Sequence, residues 1–176
     1  MNSKILICLD GSKLAEEVLP YVTGQCQAFQ AEAILLKVLA TRITIPPLQT
    51  MHIPSLAKYP GSAPAHVADI GKTGTLEPKA GPQLAQIEQA HADVSQYLNT
   101  IARPFREKGL KIRTLILEGE PAATIVNYAN SNNISLIALT THGEGGLRGE
   151  VMGRTAQFIL KESKSPAMII KPVSKQ

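Results

Sequence analysis

Five short apolar runs recur along this sequence, and each has the length of one β-strand: Lys4-Ile-Leu-Ile-Cys-Leu9, Ala33-Ile-Leu-Leu-Lys-Val38, Lys111-Ile-Arg-Thr-Leu-Ile-Leu117, Ile134-Ser-Leu-Ile-Ala-Leu-Thr140 and Ala167-Met-Ile-Ile-Lys171. The first is nearly unbroken. A strand with one wet face alternates apolar and polar residues, whereas an unbroken run has no wet face and reads as a central strand of a parallel sheet. Helical spacing fills the intervals. Leu14, Val18, Leu19 and Val22 share one face after Ser12, a candidate N-cap, with a bend expected at Pro20. Leu84, Ile87, Val94, Leu98 and Ile101 mark a long amphipathic helix from Gln83, disturbed at Pro104 and closed by Gly109. Gly119-Glu-Pro121 opens a short helix through Tyr128, and a last helix runs from about Gly153 to Lys161. Such alternation specifies right-handed crossovers and an α/β fold, a doubly wound five-stranded parallel sheet with helices on both faces.

The length of 176 residues, against roughly 150 per domain, predicts a single domain over 1–176. From about 41 to 82 the texture changes: seven of the twelve prolines fall there, with no sustained periodicity, which reads as a Pro/Gly-rich insertion. No apolar stretch has membrane-spanning length, and the first residues lack a signal-peptide pattern, so a cytoplasmic, membrane-free protein is expected. Cys8 and Cys26 fall in a strand and a helix without metal-ligand spacing and read as buried thiols. The 18 Lys and Arg are scattered among 14 acids for a net charge of +4, with no basic stripe of the kind that binds nucleic acid. That mild positive balance suits a small anion.

Ligands of open parallel sheets bind beyond the carboxyl ends of the strands, where strand order reverses. With the order 3-2-1-4-5, the first and fourth strands flank the reversal. The loops after them, Asp10-Gly11-Ser12 and Thr141-His-Gly-Glu-Gly-Gly-Leu-Arg-Gly149, then form the two lips of one crevice. Neither a dinucleotide fingerprint nor a P-loop is present. The second loop and its continuation hold Gly143, Gly145, Gly146, Gly149 and Gly153 beside Arg148 and Arg154, so that backbone amides and a helix N-terminus can converge on phosphate.

Ile5-Leu-Ile-Cys-Leu-Asp-Gly-Ser12, Gly119-Glu-Pro-Ala122, the block from Thr140 through Gly153 and the terminal Pro166-Ala-Met-Ile-Ile-Lys-Pro172 together resemble the universal stress protein family, over the whole chain except the insertion. The resemblance implies a Rossmann-like fold of the adenine nucleotide alpha hydrolase-like group, usually dimeric. Its ATP-binding members carry Gly-x-x-Gly, nine further residues, then Gly-Ser/Thr. Here Thr140 stands at the first glycine, Gly143 at the second and Gly153 at the third, followed by Arg154, with Thr155 one place late. Asp10 matches the acidic residue at the nucleoside end, and Val38 the position whose backbone meets adenine.

The expected ligand site is therefore Asp10, Val38, Thr140, Gly143, Gly146, Gly153, Arg154 and Thr155, binding ATP or another adenine nucleotide with magnesium as its candidate companion. The expected role is that of a dimeric stress-response or signalling protein, paired through its C-terminal strand and acting on an unknown protein partner. No catalytic residues are assigned: Ser12 reads as a cap, His142 as a turn residue, and no paired carboxylates mark a metal or base, so any ATP hydrolysis is expected to be slow. His52, His66 and His91 have no ligand spacing. The structural alternatives are a turn-bonding role for Asp10 and solvated surface positions for Arg148 and Arg154. The functional alternative is a nucleotide-independent dimeric adaptor that uses 41–82 as its partner surface.

Overall fold

A computed structural model describes residues 3–40, 82–141 and 152–172 of the chain. The elements are β1 (Lys4–Cys8), α1 (Lys13–Glu16), α2 (Leu19–Phe29), β2 (Glu32–Leu39), α3 (Pro82–Glu107), β3 (Ile112–Glu118), α4 (Pro121–Ser131), β4 (Leu136–Thr140), α5 (Arg154–Glu162) and β5 (Ala167–Ile170). The strands form one parallel sheet in the order β3-β2-β1-β4-β5. This is the Rossmann-like α/β fold expected from the alternation of runs.

β1 is central because it has no face to offer water: Ile5, Leu6 and Ile7 are all fully buried. Ile5, Ile7 and Leu9 enter one core with Val18, Val22 and Cys26 of the α1–α2 segment and Leu98, Ala102 and Phe105 of α3. Leu6 enters the other, with Ile34, Leu36 and Ile137 under Ile125, Val126 and Ala129 of α4 and Ile159 of α5. Cys26 belongs to the first core and Cys8 packs against the second, so the sheet separates the two thiols and both are free.

The prolines behave according to their place in each helix. At Pro20 the chain stops and restarts: α1 ends at Glu16, and α2 begins at Leu19 with Pro20 in its first turn, where a missing N–H costs nothing. Pro104 stays inside α3, leaving the Thr100 carbonyl without its usual donor four residues on. Pro82, which the sequence reading gave to the insertion, is the first residue of α3. Val94, Leu98 and Phe105 are buried, but Ile87 is 51% exposed. Length explains this: a 26-residue helix runs about 39 Å, whereas an eight-residue strand such as β2 spans about 26 Å, so the start of α3 outruns the sheet it covers. No helix among the described residues is long and apolar enough to cross a membrane.

α2 and α3 both end in the same paired-bond cap. At the end of α3, Leu110 N–H donates to the Phe105 carbonyl (3.0 Å) and Gly109 N–H to the Arg106 carbonyl (2.9 Å), with Gly109 at φ +72°. At the end of α2, Ala31 N–H donates to the Cys26 carbonyl (3.0 Å) and Gln30 N–H to the Gln27 carbonyl (3.4 Å), but the left-handed position (φ 47°) is held by Gln30. A side chain there is strained by about 1 kcal/mol. Replacing Gln30 with Gly should therefore raise the melting midpoint by about 2–4 °C, and Gly109→Ala should lower it comparably, as measured by thermal denaturation followed by circular dichroism.

Candidate functional site

The strand order reverses at β1, whose neighbours β2 and β4 lead the chain in opposite directions. The loops leaving β1 and β4 therefore diverge and open a crevice at the carboxyl edge of the sheet.

The β1 lip is a tightly bonded turn. Leu9 N–H still donates to the Leu36 carbonyl (2.9 Å), and the chain then turns at Gly11, which sits at φ +94°. Asp10 Oδ1 accepts from Ser12 N–H (2.9 Å), and Ser12 Oγ caps α1 by accepting from Ala15 N–H (3.1 Å). Ser12 is thus engaged as a helix cap, and Asp10, though exposed, has one oxygen in the turn. From β2, Lys37 reaches across to donate its Nζ to the Asp10 carbonyl (2.8 Å), with the ammonium 5.5 Å from the centre of the Tyr97 ring of α3. Burial, followed by the Glu16 and Asp10 carboxylates, pushes the Tyr97 phenol well above its usual range, so it stays a neutral hydroxyl. Val38, next along β2, is half-buried and packs on the α4–α5 side of the sheet.

The β4 lip is built from backbone. Thr140 and Thr141 are buried polar residues at the end of β4, and both have partners. Thr141 N–H donates to the Ile170 carbonyl (2.8 Å), and the Thr141 carbonyl accepts from Gly153 N–H (2.7 Å), which brings the start of α5 back onto β4. Gly153 is the N-cap of α5 and has no side chain to bond the first-turn amides. Arg154 is exposed and Thr155 half-buried in that first turn. Gly153 has an ordinary φ of −66°, so its glycine identity follows from space: a Cβ would lie 3.0 Å from the Thr141 carbonyl oxygen. Gly143 and Gly146, with His142 and Arg148, lie outside the described residues.

Of the expected site residues, Asp10 and Val38 lie on the β1–β2 side of the carboxyl edge, and Thr140, Gly153, Arg154 and Thr155 on the β4–α5 side. Gly119-Glu-Pro-Ala122 has a helix-starting role: Gly119 sits at φ +138° and Glu120 accepts from Ala122 N–H (3.2 Å) and Ala123 N–H (2.7 Å). Sequence reasoning passed over Lys37 and Tyr97. Lys37 carried a usable signal, as the one charge inside the run Ala33–Val38; Tyr97 carried none, because it blends into the helical periodicity of α3. His91 Nε2 lies 2.7 Å from Glu118 Oε1 and ties α3 to the end of β3. Among the described residues no group of three or more His, Cys, Asp or Glu is placed to hold a metal ion.

The described lips set first-turn α5 amides without a side-chain cap, beside Arg154, against the Asp10 turn; such a helix start suits an anion. The parallel sheet with its crevice at the switch point defines a Rossmann-like α/β class of protein, and comparison with known proteins gives its family. The family model described as "Universal stress protein family" matches residues 1–171, and the chain belongs to that family. It is 33% identical over 79 residues (45% of this chain, 46% of the relative) to a universal stress protein of Methanocaldococcus jannaschii. It is 32% identical over 65 residues (37% and 44%) to the universal stress protein YxiE of Bacillus subtilis. These matches span just under half the length of either relative. Among solved structures, the universal stress protein UspA from Lactobacillus plantarum superposes with a TM-score of 0.67 at 19% identity, covering 96% of this chain and 97% of that one. A universal stress protein in complex with cAMP gives a TM-score of 0.60 at 12% identity (97% of each chain). A family protein from Arabidopsis thaliana with AMP bound gives 0.59 at 14% (98% and 93%). At these identities the structures establish the shared fold.

Two outcomes follow from this geometry. Burial pushes the Cys8 thiol up to about 12 and that of Cys26 to about 11; at pH 8 both stay protonated and unreactive, so iodoacetamide should label them only after unfolding, as read by mass spectrometry. Gly153→Val should destabilise the fold by about 1–3 kcal/mol through overpacking against the Thr141 carbonyl, measured by urea denaturation without any ligand.

Proposed function

We propose that this chain binds ATP or a related adenine nucleotide in the crevice between the β1 and β4 loops and acts as a dimeric stress-response protein. The observation that carries this reading is the pairing of the Asp10 turn with an uncapped α5 N-terminus across the switch point of a universal stress protein sheet. The AMP and cAMP held by structural neighbours support an adenine nucleotide as the ligand class. In this reading the Asp10 carboxylate meets the nucleoside and the Val38 backbone meets adenine. The phosphates lie against the first turn of α5, with the Arg154 charge and the Thr155 hydroxyl; Gly153, its own N–H bound to the Thr141 carbonyl, fixes where that turn starts, and Thr140, Gly143 and Gly146 belong to the segment between. Magnesium, where present, rides on the phosphates, as it ordinarily does when protein carboxylates are few. No general base is assigned, and hydrolysis is slow at most. The setting is the cytoplasm.

The second subunit pairs along β5, the edge strand beyond β4 among the described residues. The Pro166 and Ile170 carbonyls face β4, accepting from Ile137 and Thr141, so the intervening Ile169 directs its backbone N–H to the outer edge. Ile169→Pro removes that outward donor and should give monomers by light scattering; an unchanged dimer would move the interface elsewhere.

At a hundredfold excess over its dissociation constant, ATP should stabilise the protein by about 2.7 kcal/mol, a shift of several degrees in the melting midpoint. Arg154→Ala should weaken ATP binding about tenfold at low ionic strength and less as salt screens the wild-type contact. No thermal shift at millimolar ATP with magnesium, and no nucleotide released from the purified protein, would rule out the nucleotide reading and leave the adaptor using 41–82.

A further inference from the structure

Lys37 is a lysine in a strand whose preceding residues, Ala33 to Leu36, are fully buried. Alternation along β2 places it on the α1–α3 side, at the carboxyl end, where its stem runs along the core and its ammonium reaches the surface. The ammonium then makes two defined contacts: a charge-assisted hydrogen bond to the Asp10 carbonyl (2.8 Å) and a seat over the Tyr97 ring at 5.5 Å. It also occupies the space beside Gly11 so closely that a Cβ on Gly11 would overlap Lys37 Nζ. The requirement for glycine comes from its positive φ, since the flexible end of Lys37 can shift away from a Cβ.

The consequence lies in what Lys37 joins. Along the chain it is bonded to Val38, and through space to Asp10, so one side chain spans the two groups assigned above to the nucleoside. The Asp10 carbonyl lies just past the Leu9–Leu36 bond that continues the β1 ladder, at the point where the chain turns into Gly11. Oδ1 of Asp10 fixes the far side of the turn through Ser12 N–H; Lys37 fixes the near side. We propose that Lys37 is a positioning residue that sets the separation of Asp10 and Val38, and so the fit of the crevice for an adenine nucleoside, whatever its number of phosphates. This rests on the nucleotide reading above and adds a residue to it. Fold stability needs the lysine little, because the bond lies at the exposed Asp10, whose carbonyl water can reach when the ammonium is removed.

The test compares Lys37→Met, which keeps the stem and loses the ammonium, with Lys37→Arg, which keeps a donor that can stack on Tyr97. Calorimetric titration with adenosine and with ATP should show Lys37→Met weaker by about the same factor for both, about tenfold, and Lys37→Arg recovering most of it. Asp10→Asn combined with Lys37→Met should lose less than the product of the two single losses, because both act on one turn. In the nucleotide-free protein, 15N relaxation should report greater mobility of the Gly11 amide in Lys37→Met at a nearly unchanged melting midpoint. Unaltered adenosine binding in Lys37→Met, a loss confined to ATP, or losses that multiply with Asp10→Asn would overturn the proposal. A parent protein that binds neither adenosine nor ATP would instead overturn the nucleotide reading, and this inference with it.

Discussion

Burial of β1 on both faces is the constraint on which the rest of this structure depends. Ile5, Leu6 and Ile7 have no direction in which to meet water, so helices must cover the sheet on each side, and parallel neighbours must be reached by crossovers. Once β2 lies on one side of β1 and β4 on the other, the loops at its carboxyl end part. The crevice is thus a geometric product of the core.

The two lips use different chemistry. On the β1 side, side chains do the holding: Asp10 to Ser12, Ser12 to α1, Lys37 to Asp10. On the β4 side the backbone does it, through Thr141 and Gly153, and the first turn of α5 keeps its amides without a side-chain cap. Gly153 is a packing requirement of that lip: the absence of a Cβ is what lets α5 dock on the end of β4.

Much of this was legible in the sequence because it is local. The five apolar runs, the Ser12 cap and the Gly109 stop follow from residue type and spacing, and all stand where the periodicity put them. Departures occur where a local pattern meets a global length or packing limit. Ile87 continues the apolar stripe of α3 but lies where the helix has outrun the sheet. Pro20 separates two helices where a bend was expected, and Pro104 sits within one, since each outcome depends on where the helix starts. In the candidate site, Asp10, Val38, Thr140, Gly153, Arg154 and Thr155 could be placed at one edge from strand order alone, whereas Gly143 and Gly146 fall outside the described residues.

The sequence by itself determined the α/β class and a parallel sheet, because burial on both faces and crossover handedness leave few alternatives; the order 3-2-1-4-5 was an expectation that the sheet bears out. Tertiary structure alone decided which side chains meet across the reversal of strand order. Lys37 and Asp10 are 27 residues apart, and Tyr97 comes from a helix beyond the insertion; no periodicity relates them. Their meeting depends on the register of β1 against β2, Cys8 opposite Leu36, and on α3 packing over the same face. A one-residue shift of that register would turn Lys37 to the other side of the sheet, away from both partners, so the contact is a property of the assembled core and of no single segment.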